Sequence, residues 1–239
     1  MGNSADFLVN RCRKAFNDTI EGNKFPVARV ILGRKESLTG ENIGKRVAPK
    51  WLPAERMEQG MSKITLINAS CAEQTVDAVV NAANSHLWAG GGICGVIFSK
   101  AGVTELTDAC SQYKTPLKDG EAVITPAFRM KNAKAIIHAV GPDFSRTPNA
   151  FKELYEAYYH SLVVLMENGY HSIAFPLISS GIFGGHLEHP VAESTKQCYR
   201  AYLKFLQDYP DYEIDVILCA FTLQEMMEAR KEFAPSQTL

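Results

Sequence analysis

From Lys63 onward, short apolar runs alternate with segments whose apolar residues recur every three or four positions. That alternation limits the possible folds more than any other feature of the sequence. The runs at Lys63–Asn68, 76–81, 122–125, Ala135–Val140, Ser172–Pro176 and 214–220 have strand length and are apolar enough for strands buried on both sides. Between them, Phe151, Leu154, Tyr155, Tyr158, Leu162, Leu165 and Met166 fall on one helical face. Val191, Thr195, Cys198, Tyr202, Leu203 and Leu206 form a second such face, and a further helix opens at about Ile93. Strands interleaved with helices give an α/β fold with a mostly parallel sheet covered on both faces. In such a sheet, ligands sit outside the carboxyl ends of the strands.

The first 60 residues follow a different pattern. They carry 11 Lys and Arg against 7 Asp and Glu, and residues 5–20 have the spacing of one amphipathic helix. Pro26, Gly33, Gly40, Gly44, Pro49 and Pro53 then interrupt the chain. Residues 1–60 are therefore expected to be an N-terminal extension, and 61–235 the folded domain. The opening Met-Gly-Asn-Ser-Ala-Asp puts Asp6 where an acylation signal requires Ser or Thr. No secretory apolar region and no run near the ~20 residues of a membrane span is present. The six cysteines lack paired or CxxC spacing and are expected to be reduced and buried, as in a cytoplasmic protein. The net charge of -1 argues against intrinsic nucleic-acid or membrane-surface binding. It leaves open a buried diphosphate held by backbone N–H groups.

Two segments are built for such a ligand. The first, 81–95, leaves a strand and reaches Gly90, Gly91 and Gly92 just before Ile93 and Cys94. Three consecutive glycines cost chain entropy and pack nothing, so their use is close backbone approach at a helix N-terminus. The second, 176–185, carries Ser179, Ser180, Gly181, Ile182, Phe183 and Gly184 between another strand and another helix. No Lys follows in GK[ST] order and GxGxxG spacing is absent, which disfavours a P-loop and a dinucleotide fold. Two such loops at neighbouring strand ends could clamp a diphosphate.

The runs Val-Asp-Ala-Val-Val-Asn-Ala-Ala-Asn, Gly-Gly-Gly, Ile-Ile-His-Ala-Val-Gly-Pro and Ile-Ser-Ser-Gly-Ile-Phe-Gly resemble, in order and spacing, the motif series of macrodomains from about Lys63 to Phe233. The resemblance implies a three-layer α/β/α sandwich with a mixed, mostly parallel sheet. It also implies ADP-ribose binding and, in many members, hydrolysis of ADP-ribosyl-protein linkages or of O-acetyl-ADP-ribose. Carried over by position, Asn84 is similar to the asparagine that meets the distal ribose. Gly90, Gly91, Gly92 and Ile93, with residues 179–184, are similar to the two diphosphate loops, and Phe183 to the aromatic beside the distal ribose. By itself Asn84 reads as a turn asparagine supporting its own backbone.

Two positions depart from the family pattern. Where members usually carry an adenine-binding Asp, this chain has Ser70, followed by Cys71, with Asn68 as a second candidate. A neutral hydroxyl makes a weaker bond than a carboxylate. Where one hydrolase branch carries an Asp ten residues after the motif asparagine, this chain has Cys94. A thiol at a helix N-terminus can be a nucleophile or simply packing. Asn84 and Cys94 are thus the candidate catalytic residues, with phosphate-positioned water as the expected attacking group. The substitution at Cys94 also fits a reader module that binds without turnover. His138 reads as a core histidine, and His86 as a surface loop histidine. His186 and His189 read as exposed residues at a helix start, without the partners a metal site needs. No metal and no cofactor is expected.

Overall fold

The computed structural model describes residues 62–233. The expected helix at 5–20 and Cys12 lie outside them. The six strands are β1 (Lys63–Asn68), β2 (Ala78–Ala83), β3 (Ala122–Pro126), β4 (Ala135–Val140), β5 (Ser172–Pro176) and β6 (Asp215–Ala220). They form one sheet in the order β1-β6-β5-β2-β4-β3. Every pairing is parallel except β3 with β4.

The apolar strands sit in the middle for a physical reason. Every residue of Ala-Ile-Ile-His-Ala-Val in β4 is buried, so both faces of that strand are covered. β1, with Lys63, Thr65 and Asn68 exposed, takes an edge, and β3 ends on Pro126 at the other edge. Helices α1 (Gly92–Ala101) and α2 (Val103–Ser111) pack together against β2 and β3. Helices α3 (Phe151–Glu167), α4 (Pro190–Asp208) and α5 (Leu223–Phe233) lie side by side, α3 over β3, β4 and β5, and α5 over β1 and β6. This is the expected α/β/α sandwich. No helix of the described residues is long and apolar enough to cross a membrane.

Most strand positions agree with the sequence reading, and the second is displaced by two residues. Val76 and Asp77 belong to the lead-in, because the Asp77 carboxylate accepts hydrogen bonds from His171 N (2.9 Å), Ser172 N (3.0 Å) and Ser172 Oγ (2.9 Å) and pairs with Lys134 (2.6 Å). Asp77 thus ties β2 to the starts of β4 and β5. At the other end the two strands part company. β2 pairs with β4 over six residues but with β5 only at Ala78↔Ile173 and Val79↔Ala174. The carboxyl halves of β2 and β5 have no ladder between them, and this split falls where the connections turn in opposite directions.

Candidate functional site

Backbone groups freed by the split find other partners within the core. The Tyr158 hydroxyl accepts from Ile178 N (2.8 Å) and lies 2.7 Å from Ser194 Oγ, which itself donates to Ile178 O (2.7 Å). On the β2 side, the buried Cys71 thiol lies 3.7 Å from Val80 O. The carboxyl ends of β2 and β5 are therefore satisfied without a ladder between them, and the two glycine-rich loops leave the sheet from these ends.

The first loop, 84–91, holds itself in shape. Asn84 Oδ1 accepts from His86 N (3.2 Å) and Trp88 N (3.1 Å), while Asn84 Nδ2 donates to Trp88 O (2.8 Å). This is the turn-supporting role that asparagine alone suggests. It uses one N–H of the amide and leaves the second for a ligand. Leu87, at φ 59 and fully buried, pins the middle of the loop. Gly90, Gly91 and Gly92 are exposed at the start of α1. A Cβ placed on Gly91 would meet nothing within 4 Å, and one on Gly90 would lie 3.8 Å from Asn84 Nδ2. Asn84 Nδ2 and the bare backbone of Gly90 thus lie side by side. The first turn of α1 holds no acidic residue, so its N–H groups and dipole are open to an anion. Ile93, half-buried, begins the helix proper.

Cys94 is buried, with its thiol 3.7 Å from Trp88 O. Burial pushes the thiol pKa up, against the opposing hydrogen bonds of the Gly90 backbone and the Asn81 side chain. The helix N-terminus therefore does not produce the thiolate a nucleophile would need. Beneath lies the core histidine anticipated from the sequence. His138 is fully buried, with Asn81 Nδ2 at 3.1 Å from Nδ1 and Thr125 Oγ1 at 3.0 Å from Nε2, and burial lowers its pKa to about 3.

The second loop is fastened to the chain leaving β4. Ser179 Oγ donates to Pro142 O (2.8 Å), and Phe144 N donates to Phe183 O (2.9 Å). Gly141 is more than a turn former, because a Cβ there would run into Ile178 and Ser179. Ser180 Oγ donates to Leu177 O (2.8 Å), and Gly181 precedes the 3-10 turn Ile182–Gly184. Ile182 is 92% exposed, Phe183 half-buried and Gly184 buried.

On the far side of the split, Ser70 is half-buried and precedes the 3-10 turn Cys71–Glu73. Cys71 is buried, which pushes its thiol up and leaves its side chain in the core. Asn68 Nδ2 donates to Ala220 O (2.9 Å) and Phe221 O (3.2 Å), which commits that side chain to the end of β6. Phe221 itself, 72% exposed just after β6 with its carbonyl bonded by Asn68 Nδ2, escaped the sequence reading. A single aromatic after a strand carries no signal until the topology sets β6 next to β1. His186 and His189 are exposed, and among the described residues no group of three or more His, Cys, Asp or Glu could hold a metal. The five described cysteines are free and buried.

The family described as Macro domain matches residues 80–198. An O-acetyl-ADP-ribose deacetylase of Salmonella gallinarum is 40% identical over 152 residues, covering 62% of this chain and 82% of the relative. The ADP-ribose glycohydrolase MACROD1 of Rattus norvegicus is 36% identical over 180 residues, covering 74% of this chain and 66% of the relative. Among solved structures, an Oceanobacillus iheyensis macrodomain with ADP superposes with a TM-score of 0.66 at 27% identity, covering 73% of this chain and 92% of that one.

Proposed function

The chain belongs to the macrodomain family, and we propose that it binds ADP-ribose and hydrolyses ADP-ribosyl linkages of the O-acetyl-ADP-ribose or protein-linked type. The observation that carries this reading is the exposed glycine triplet at a helix N-terminus without acidic residues, on the loop that leaves β2 where β2 and β5 stop pairing. A dianionic diphosphate fits that place without a basic side chain. The deacetylase and glycohydrolase names of the relatives support turnover.

In this reading Gly90, Gly91, Gly92 and Ile93 hold one side of the diphosphate with backbone N–H groups, and residues 179–184 hold the other. Asn84 gives its remaining amide N–H to a distal ribose hydroxyl, with Phe183 beside that sugar. Adenine lies at the Ser70 and Cys71 turn, where Phe221 offers a ring to stack on. Water held by the ligand phosphate and the backbone attacks C1 of the distal ribose or the acyl carbon. Cys94 packs beneath the loop instead of attacking, since burial keeps its thiol protonated. Residues 61–235 are the functional unit and 1–60 an appendage to it.

The test is calorimetry with ADP-ribose and with AMP, followed by turnover of O-acetyl-ADP-ribose and of ADP-ribosyl glutamate peptides. ADP-ribose should bind more tightly than AMP, because Asn84 and Phe183 touch only the distal ribose. Equal affinities would refute the two-loop clamp. Binding without release from any substrate would make the chain a reader, which the absence of a carboxylate in residues 84–95 and 177–187 would then explain.

A further inference from the structure

Strand register decides which residues share a face of the sheet. Thr65, Ile217, Ala174, Val79 and Ile136 are successive partners across β1, β6, β5, β2 and β4, so they lie on one face. Asn81 and His138 are on that same face two positions along, where His138 meets Phe98 of α1 with ring centroids 6.5 Å apart. The opposite face carries Phe175, which meets Tyr158 of α3 at 5.2 Å. The face under α1 and α2 is covered unevenly. α1 packs on β2, α2 on β3, and the turn Cys71–Glu73, in contact with α1, reaches β5 and β6. Val79, Ala174 and Ile136 are fully buried there. Farther out, Thr65 is exposed and Ile67 and Ile217 are half-buried, although α5 packs against these two strands from the other layer. Parallel strands such as β1, β6 and β5 call for cover on both faces. The Thr65–Ile67–Ile217 corner is thus a surface that another element would cover.

We propose that residues 5–20 of this same chain dock over that corner as an amphipathic helix. At helical spacing Leu8, Cys12, Phe16 and Ile20 form one apolar stripe, with Asp6, Asn10, Arg13 and Asn17 on the other side. The arm enters the domain immediately before β1, the strand that bears the open face. Residues 21–61 are long enough to turn back onto it, since a flexible run of that length spans roughly 35 Å. The dimensions match as well. Sixteen helical residues make a rod of about 24 Å, and a six-residue strand is about 20 Å long. Charge favours the same pairing. Eleven Lys and Arg against seven Asp and Glu give residues 1–60 a net +4, so with a chain total of -1 the remainder carries -5. Arg11, Arg13 and Lys14 flank Cys12, while Asp211 and Glu213 are exposed just before β6, at one end of the face. The docking is independent of the nucleotide reading, because this corner lies on β1 and β6, away from both glycine-rich loops.

The natural thiol of Cys12 sits in the middle of the stripe, and the five described cysteines are buried, so a short bis-maleimide can report the docking. The full chain carrying Thr65→Cys is treated with the linker at low protein concentration, and linked peptides are read by mass spectrometry. The control is the full chain carrying Leu203→Cys, at an exposed position of α4 in the other layer. Residues 12 and 65 should link within one chain, at a yield independent of protein concentration and well above that of the control. Adding Phe16→Asp should lower the yield about tenfold or more, because a carboxylate in the stripe must shed its water to dock. Equal yields at the two positions, or a yield indifferent to Phe16→Asp, overturn the docking. A link that joins two chains and grows with concentration also overturns it, and assigns the face to a second copy. Hydrogen exchange on the unsubstituted chain gives a separate reading. Amides of residues 9–20 should exchange about tenfold or more slowly than those of residues 34–48, as a docked helix requires; equal rates refute the proposal.

Discussion

The two glycine-rich loops look alike in sequence and behave differently in the structure. In the first, Gly90, Gly91 and Gly92 are exposed, and the loop is held by the side chain of its own Asn84. In the second, glycine allows the loop to press against a neighbour. Gly185 has φ 56, and a Cβ on it would lie 2.6 Å from the Phe144 carbonyl carbon. The first triplet keeps space open, whereas the second loop keeps it open at Gly181 and removes it at Gly184 and Gly185. A run of glycines therefore has two physical meanings, and only the contacts around it tell them apart.

The sharpest way to break this comparison is to fill both loops with the same side chain. Gly185→Val combines a disfavoured backbone angle with a clash against the Phe144–Ser145 backbone, costing roughly 3 kcal/mol or more. For a domain of this size that lowers Tm by about 6–12 °C in calorimetry. Gly91→Val should leave Tm within about 2 °C, because its site is open and its φ of -83° suits any residue. ADP-ribose affinity should nevertheless fall about 100-fold or more by titration, through loss of backbone bonds to phosphate worth ~1.5–3 kcal/mol each. Two variants with equal stability loss would show that the loops are alike after all.

What the sequence could reveal follows the same division. Strands β1, β4 and β5 were legible because their apolar runs are bounded by turn residues, and β4 is buried along its whole length. Helix α5 was not, since Leu223 and Met227, which would mark its apolar face, are 73% and 69% exposed. The glycine runs announced close approach but not to what. Gly141 looked like a strand-ending turn, and only the register of β4 and β5 brings it against Ser179. Asn84 suggested a turn or a ligand contact, and its amide has capacity for both. Exposed aromatics such as Trp88 and Phe221 are invisible in a pattern built on burial.

Asn84 sharpens the comparison at a single side chain, because it shapes its loop and, in the proposed reading, also meets the distal ribose. Asn84→Ala should lower kcat by about 100-fold, the scale of a misorientation near 1 Å. ADP-ribose Kd should rise less than about tenfold, the value of one hydrogen bond. Asn84→Asp divides the contacts differently. It keeps the oxygen that accepts from His86 N and Trp88 N but removes both amide N–H groups, the one bonded to Trp88 O and the one offered to the ribose. If Asn84→Asp restores kcat, the residue acts by holding the loop, and the ribose contact is not needed.

The smallest effect is expected at Cys94, where the first loop meets the core. Its thiol lies below the glycines and near Trp88 O, so it is close enough to the site to invite a chemical role. Burial raises its pKa, and the Gly90 and Asn81 hydrogen bonds oppose that shift without reversing it. A thiol that is protonated through the neutral range supplies little nucleophile, so removing it should cost packing more than chemistry. Cys94→Ala should therefore keep at least a tenth of wild-type turnover, with about 1 kcal/mol of stability lost for the deleted sulfur. The kcat profile should show no limb assignable to thiol ionisation between pH 6 and 8, and Cys94→Ser should match Cys94→Ala within a few fold. Turnover abolished in both variants while ADP-ribose still binds would make the sulfur a reacting atom. The first loop would then hold its own nucleophile as well as open space, and the water-based mechanism would have to be given up.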